Sequence, residues 1–303
     1  MLIYIRGTFL PLGDVKITVH DPAVESVNFK GNLIQLSVES GEIVATKAQE
    51  ISEEEHAYVQ DIDNKLPRDE AFEGYLMSQY QDVREILSYI QIFDAVFRLD
   101  TELRMNSTYE WSKDGSNWLP IPDKRIMTWR GAGLRQTLPA NFMGNIAQLA
   151  EGGIPVFMAF KHLYKAYVDE NTRFKWINGT IASEHAFKEF LTLLDPRTSS
   201  LMLYVPSPPV DRLYNDVLES YTGRPSSMYK RLKKGAETRN KLIHQPATPS
   251  PDLKETNIYL HEVEVAIFEL YTRLRPGDAF LAFALTSAEN RLKHVVEGGS
   301  YFQ

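Results

Sequence analysis

The sequence predicts an α+β protein. A β-rich antiparallel domain spans residues 1–150, an all-α helical bundle spans 151–295, and 296–303 form a tail. Three observations carry this. Short β-branched runs punctuated by glycine crowd the first fifty residues. Apolar residues recur at helical spacing almost everywhere beyond residue 150. The texture changes between 145 and 155, and 303 residues accommodate two domains of ordinary size.

Taken in order, Leu2-Ile3-Tyr4-Ile5, Val15-Lys16-Ile17-Thr18-Val19, Leu33-Ile34-Gln35-Leu36-Ser37-Val38 and Ile43-Val44-Ala45-Thr46 read as strands of an antiparallel unit. Gly13-Asp14, Gly31-Asn32 and Gly41 mark the turns. Residues 51–67, with Glu53-Glu54-Glu55, read as a solvated acidic connection. Over 70–98, Leu76, Tyr80, Val83, Leu87, Ile90 and Phe93 fall at helix spacing. Tyr109-Glu110-Trp111, the Asp114-Gly115 turn and Trp118-Leu119-Pro120-Ile121 predict a hairpin.

Beyond residue 150 five helices are expected. The first covers 154–168. The second covers 172–194, with Phe174, Ile177, Ile181, Phe187, Phe190 and Leu194 as its apolar face. A third carries Leu213, Val217, Leu218 and Tyr221 and ends near Gly223. A fourth runs 226–244, and a fifth carries Leu260 to Leu274 and stops at Pro276-Gly277. The last residues, Gly298 to Gln303, resemble a linker and a protease-tag remnant.

Composition narrows the function. With 43% hydrophobic and 24% charged residues, a packed core is expected rather than disorder. The absence of cysteine excludes disulfides, thiolate zinc sites and a cysteine nucleophile. No apolar run approaches the roughly 20 residues of a membrane span. Nor does the N-terminus show a basic start before an apolar stretch. A cytoplasmic protein with no membrane partner is expected. The net charge of −7 argues against a protein that coats nucleic acid over its whole surface, but leaves room for a local basic site.

That site falls between Tyr229 and Pro246. Lys230, Arg231, Lys233, Lys234, Arg239 and Lys241 face only Glu237 in the local sequence, the footprint of RNA binding. Histidine titrates nearest neutrality and can exchange a proton at cellular pH. Arginine stays charged, and its planar fork matches phosphate oxygens. Arg239 and His244 together supply what cleavage of RNA without a metal requires: proton transfer and stabilisation of charge on the phosphate.

Helical geometry adds detail. Arg239 shares a side with Leu232, flanked by Met228 and Ile243, so it lies in an apolar stripe. Asn240 and His244 are one turn apart on one flank. Arg239 and His244 are about 140° apart around an ideal helix, too far to converge easily. Gln245 precedes a proline and is biased out of helix, so His244 is expected at a fraying end. A second copy of the helix could also supply the missing group, which favours a composite, dimeric site.

The run Arg239-Asn240-Lys241-Leu242-Ile243-His244 resembles the signature of the HEPN superfamily, an arginine followed by a polar residue and, about a turn later, a histidine. The earlier helix from Phe174 through Glu184 and His185 resembles the upstream helix of these domains. The likeness covers about residues 150–280. It implies a helical bundle that forms a homodimer, with two signature motifs lining one cleft. It further implies a metal-independent endoribonuclease of toxin–antitoxin, anti-phage or RNA-processing systems, with no cofactor and 2′,3′-cyclic phosphate products. An antitoxin or a phage-derived trigger is the partner it implies, beside RNA. Some members are inactive scaffolds.

Glu184 falls between Ile181 and Phe187, where a bare carboxylate is costly, so it is a support for Arg239 or His244, a structural ion pair inside the bundle, or a sign that the helix is rotated slightly so that Glu184 reaches water. Asp61 and Asp63 would share a strand face but lie in an acidic loop. His261-Glu262 opens like a zinc-protease helix, but Val265 replaces the second ligand. His20, His56, His162, His185 and His294 lack metal-ligand spacing. Trp111 and Trp118 read as packing residues. The expectation is therefore an N-terminal recognition domain joined to a HEPN-like nuclease using Arg239, Asn240 and His244. The alternative is a non-catalytic RNA-binding or dimerisation scaffold.

Overall fold

The computed structural model describes residues 1–9, 15–19, 26–36, 42–60, 70–94, 108–121, 134–138, 142–153, 155–200 and 209–298. Gly13-Asp14, Gly41, Asp61, Asp63 and the last five residues lie outside them, as do the side chains of Ile90 and Phe93. The layout is α+β, an antiparallel sheet followed by a helical region. The chain divides into two compact units, Met1–Pro155 and Val156–Gln303.

In the first unit the strands are β1 (Leu2–Phe9), β2 (Val15–Val19), β3 (Ser26–Phe29), β4 (Asn32–Leu36), β5 (Ile43–Glu50), β6 (Thr108–Ser112), β7 (Leu119–Ile121) and β8 (Leu134–Leu138). Six of them form an antiparallel sheet in the order β3-β4-β5-β1-β6-β7. Burial alternates along β1, with Ile3, Ile5 and Phe9 inside. On that face Phe9 pairs with Ile43, Ile5 with Trp111, and Gly7 with Ala45. Helix α2 (Glu70–Asp94) covers β1, β4 and β5 with Phe72, Leu76, Val83, Ile86 and Leu87. Lys30 and Gly31, both at positive φ, make the two-residue β3–β4 turn. In the β6–β7 hairpin, backbone bonds from Asn117 and Ser116 hold the Asp114 carboxyl well below the usual carboxylate range.

Two expectations change here. Val15–Val19 leaves the antiparallel sheet and pairs in parallel with Leu134–Leu138. Parallel pairing needs a long crossover, so no local pattern announces it. The acidic connection is partly helix, α1 (Glu53–Gln60). Ser52 and Glu55 form a capping box: the Ser52 hydroxyl accepts the Glu55 amide at 3.1 Å, and the Glu55 carboxylate accepts the Ser52 amide at 2.7 Å. The glutamates of the first turn also favour the positive end of the helix dipole. Helix α3 (Phe142–Glu151) closes this unit.

The second unit contains α4 (Ala159–Val168), α5 (Thr172–Leu194), α6, α7 (Tyr229–His244), α8 (Leu253–Leu274) and α9 (Ala279–Val296). Helix α6 is composite: an α turn Val210–Arg212, a π-helical stretch Leu213–Val217 and a further α turn Leu218–Thr222. Helix α8 is central, packing on α5, α9, α7 and α4. The first helix starts later than expected because the Glu189 carboxylate caps it, accepting the Met158 amide at 2.6 Å and the Ala159 amide at 3.2 Å. The sixth helix, α9, is set by Asp278, whose side chain accepts the Phe280 and Leu281 amides. Among the described residues no helix is long and apolar enough to cross a membrane.

The face chosen for the second helix is also corrected. Phe187 and Phe190 are buried, but Phe174 is 52% exposed. Beside those two phenylalanines the buried positions include Trp176, Gly179, Thr180, Ala182, Ser183 and Ala186. Neighbouring helices approach α5 closely, which selects small residues over large ones. A Cβ on Gly179 would lie 2.5 Å from Leu260 Cδ2.

Candidate functional site

Helix α7 carries the sequence motif, and its neighbours fix it at three points. At its start, the Glu269 carboxylate of α8 accepts the Ser226 hydroxyl at 2.5 Å and the Ser227 amide at 3.0 Å. A carboxylate there satisfies orphan amides and suits the positive end of the helix. Arg273 of α8 holds the preceding segment through the Arg224 and Pro225 carbonyls. In the middle, the Trp176 indole donates to the Gly235 carbonyl at 2.9 Å and stacks on Tyr259 at 4.3 Å. At the end, Arg173 of α5 donates to the Leu242 carbonyl at 2.7 Å. None of these anchors was read from the sequence, because each is a long-range pairing with no local signature.

Gly235 is the closest contact of the set. A Cβ there would fall 2.1 Å from Tyr259 Cε2 and 2.4 Å from its hydroxyl oxygen. Tyr259 is buried and its hydroxyl is shared with Thr180 at 2.8 Å, so it has little room to retreat. Gly235→Ala is expected to destabilise the protein by about 1–3 kcal/mol. Urea unfolding followed by tryptophan fluorescence reads this; an unchanged midpoint would mean that α7 shifts freely.

Arg239 falls on the same side of α7 as the buried Gly235 and Leu242, as helical angles predict, but is itself only partly buried. The stripe itself runs through Leu232, Gly235 and Leu242, whereas Ile243 is 43% exposed. The Arg239 side chain is 26% exposed and stands 3.8 Å from Glu184 of α5, itself 24% exposed. Its Nη1 donates to Asn240 Oδ1 at 3.0 Å. Its Nε is buried without a hydrogen-bond partner among the described residues. The Nε atoms of Arg84, Arg273 and Arg291 are in the same position, so Arg239 is set apart by its pairing with Glu184 and Asn240 rather than by the open donor alone. Arg239, Asn240 and Glu184 thus come together.

His244 does not join them. It is exposed at the last position of α7, and no hydrogen bond or ion pair links its ring to Arg239, Asn240 or Glu184 among the described residues. The end expected to fray is tied down. The Gln245 amide returns to the Lys241 carbonyl at 2.9 Å, and the Thr248 amide donates to the Gln245 carbonyl at 2.9 Å.

The basic cluster is less open than its sequence suggests. Arg231 lies 3.5 Å from Glu262, Lys233 3.7 Å from Asp211 and Lys234 3.0 Å from Glu255. Those carboxylates come from α6 and α8, so counting charges along α7 alone missed them. Burial raises the Glu262 carboxyl, with Arg231 and Lys234 pulling it back. The Arg231–Glu262 and Lys234–Glu255 pairs line a cleft of about 290 Å³ together with Trp176 and Tyr259, whereas Lys233 and Asp211 lie outside it. Lys230 lies over the Tyr229 ring, and Lys241 is exposed.

Histidines that sequence spacing separates also meet. His162 and His185 stack with centroids 5.0 Å apart. Burial, aided by His185 and Lys165, lowers the His162 pKa below the usual imidazole value. Among the described residues no three histidine or carboxylate side chains gather as a metal site. Comparisons with protein-family models, curated proteins and solved structures return no match to this chain.

Proposed function

We propose that the C-terminal unit is an endoribonuclease of the HEPN type that cuts RNA without a metal, in the cytoplasm, with Arg239 and His244 as its chemical groups. The carrying observation is Arg239, a half-buried guanidinium braced by Glu184 and Asn240 with one donor still unmet. In this reading the guanidinium accepts the scissile phosphate as its missing acceptor. Glu184 and Asn240 aim the fork. His244 takes the proton of the 2′-hydroxyl or returns one to the departing 5′-oxygen. The 2′-oxygen bonds to phosphorus, the 5′-oxygen leaves, and a 2′,3′-cyclic phosphate results. Lys230 and Lys241 steer the strand, and Arg231, Lys233 and Lys234 join after exchanging their carboxylate partners. Because His244 stands apart from Arg239, the site is completed by a second copy of the chain. The N-terminal unit serves recognition, of RNA or of an antitoxin or phage-derived trigger, in a toxin or defence effector.

Incubating total RNA with the purified protein in EDTA tests this. Cyclic-phosphate ends released by the parent protein support it; intact RNA counts against it. A second reading, a non-catalytic scaffold that binds RNA or dimerises through α7, is favoured by the three pre-paired cations and by the distance His244 keeps from Arg239.

A further inference from the structure

We propose that Arg173 is a positioning residue for His244, an inference whose kinetic arm rests on the nuclease reading above. Many helices close with a left-handed glycine that satisfies the last carbonyls. Here the closing residue is Gln245, at φ −127° and ψ 89°, followed by Pro246, so that solution is lost. Arg173 replaces it. Its Nη2 donates to the Leu242 carbonyl at 2.7 Å and the Gln245 carbonyl at 3.4 Å, and its Nη1 to the Thr248 carbonyl at 3.3 Å. These bonds fall on both sides of His244, so the backbone that carries the imidazole is pinned before and after it.

The clamp has a firm base. Arg173 lies in the first turn of α5, where its own amide donates to the Asn171 side chain at 2.9 Å. Its charge also suits the negative end of α7. The planar fork divides the three carbonyls between two nitrogens, whereas a lysine ammonium would have to reach all of them from a single nitrogen on a flexible stem. The same α5 that presents Glu184 to Arg239 therefore sets His244 through Arg173.

The test uses the full chain with Arg173→Ala and Arg173→Lys. Amide hydrogen exchange at Gln245 and Thr248 is expected to quicken tenfold or more in Arg173→Ala, with Tyr259 in α8 unchanged. Cleavage kcat is expected to fall about 10- to 100-fold, with KM held within about twofold because phosphate contacts remain. Arg173→Lys, the milder change if alanine prevents folding, should keep partial protection at Thr248 yet still lower kcat. Unchanged exchange overturns the clamp. Faster exchange with unchanged kcat overturns the positioning role. If the parent protein does not cut RNA, the nuclease reading fails by itself. The clamp is then judged by the His244 imidazole NMR signals, which should move in Arg173→Ala and would overturn the proposal by staying in place.

Discussion

His244→Ala is expected to slow RNA cleavage by about 10²- to 10⁴-fold, the range for loss of a positioned proton-transfer group. The unfolding transition should stay where it is, because the ring is exposed and makes no hydrogen bond or ion pair among the described residues. Affinity for an uncleavable 2′-deoxy strand should persist, since the phosphate contacts come from other side chains. Arg239→Ala should lose a similar factor in rate and, unlike His244→Ala, weaken that affinity. It also strips Glu184 of its partner at 3.8 Å. Arg239→Lys should not rescue, because a point charge cannot brace against Asn240 and present a fork to phosphate together. Mixing the two inactive variants discriminates further. Partial recovery means that arginine and histidine come from different copies, whereas no recovery means that one chain assembles the whole site. An active His244→Ala protein would end the assignment.

Arg291→Ala is expected to cost about 3–5 kcal/mol, the penalty for leaving a buried charge without its partner. Glu264 is fully buried on α8. Its carboxylate accepts from Arg291 of α9 at 2.7 Å, from Tyr167 of α4 at 3.4 Å, and lies 3.1 Å from His261 Nδ1. Burial alone would raise this carboxyl. Arg291 and His261 outweigh burial and hold it at about 2. A folded-state value below the ordinary 4.5 means that the ionised form is the stabilising one. That contribution, on the order of 3 kcal/mol, is complete above about pH 4.5 and is lost as pH falls toward 2. Denaturant midpoints measured from pH 6 down to pH 2 should show the decline. Glu264→Gln should flatten this part of the profile. A parallel decline in both proteins would assign the acid sensitivity elsewhere.

Periodicity reveals much of this fold. The alternation of β1, the Asp114-Gly115 hairpin and the bounds Thr172–Leu194 all follow from local pattern and turn chemistry. What stayed hidden depends on distant partners. The parallel pairing of β2 with β8 crosses more than a hundred residues. The inner face of α5 goes to glycine, threonine and serine because its neighbours press close, which an apolar count cannot anticipate. The missed α1 is different: Ser52 and Glu55 were legible as a capping box, and the acidic run masked them. For the candidate site, Arg239 on the side of the apolar stripe was readable from angles alone. Its pairing with Glu184 is one of several alternatives that the sequence leaves open, and Arg173 gives no signal because its partners are backbone carbonyls.

The ion pairs along α7 carry a consequence for thermodynamics in salt. Each phosphate neutralised on single-stranded RNA releases counterions and steepens the dependence of log affinity on log salt by about 0.7. Arg231, Lys233 and Lys234 already hold carboxylates, so those carboxylates act as built-in counterions. If only Lys230, Arg239 and Lys241 bind phosphate, the slope should be near about −2; with all six it would approach about −4. Glu255→Gln, which releases Lys234, should steepen the slope by less than one unit. Helix α7 would then be a strip whose electrostatic grip is adjusted by the helix behind it.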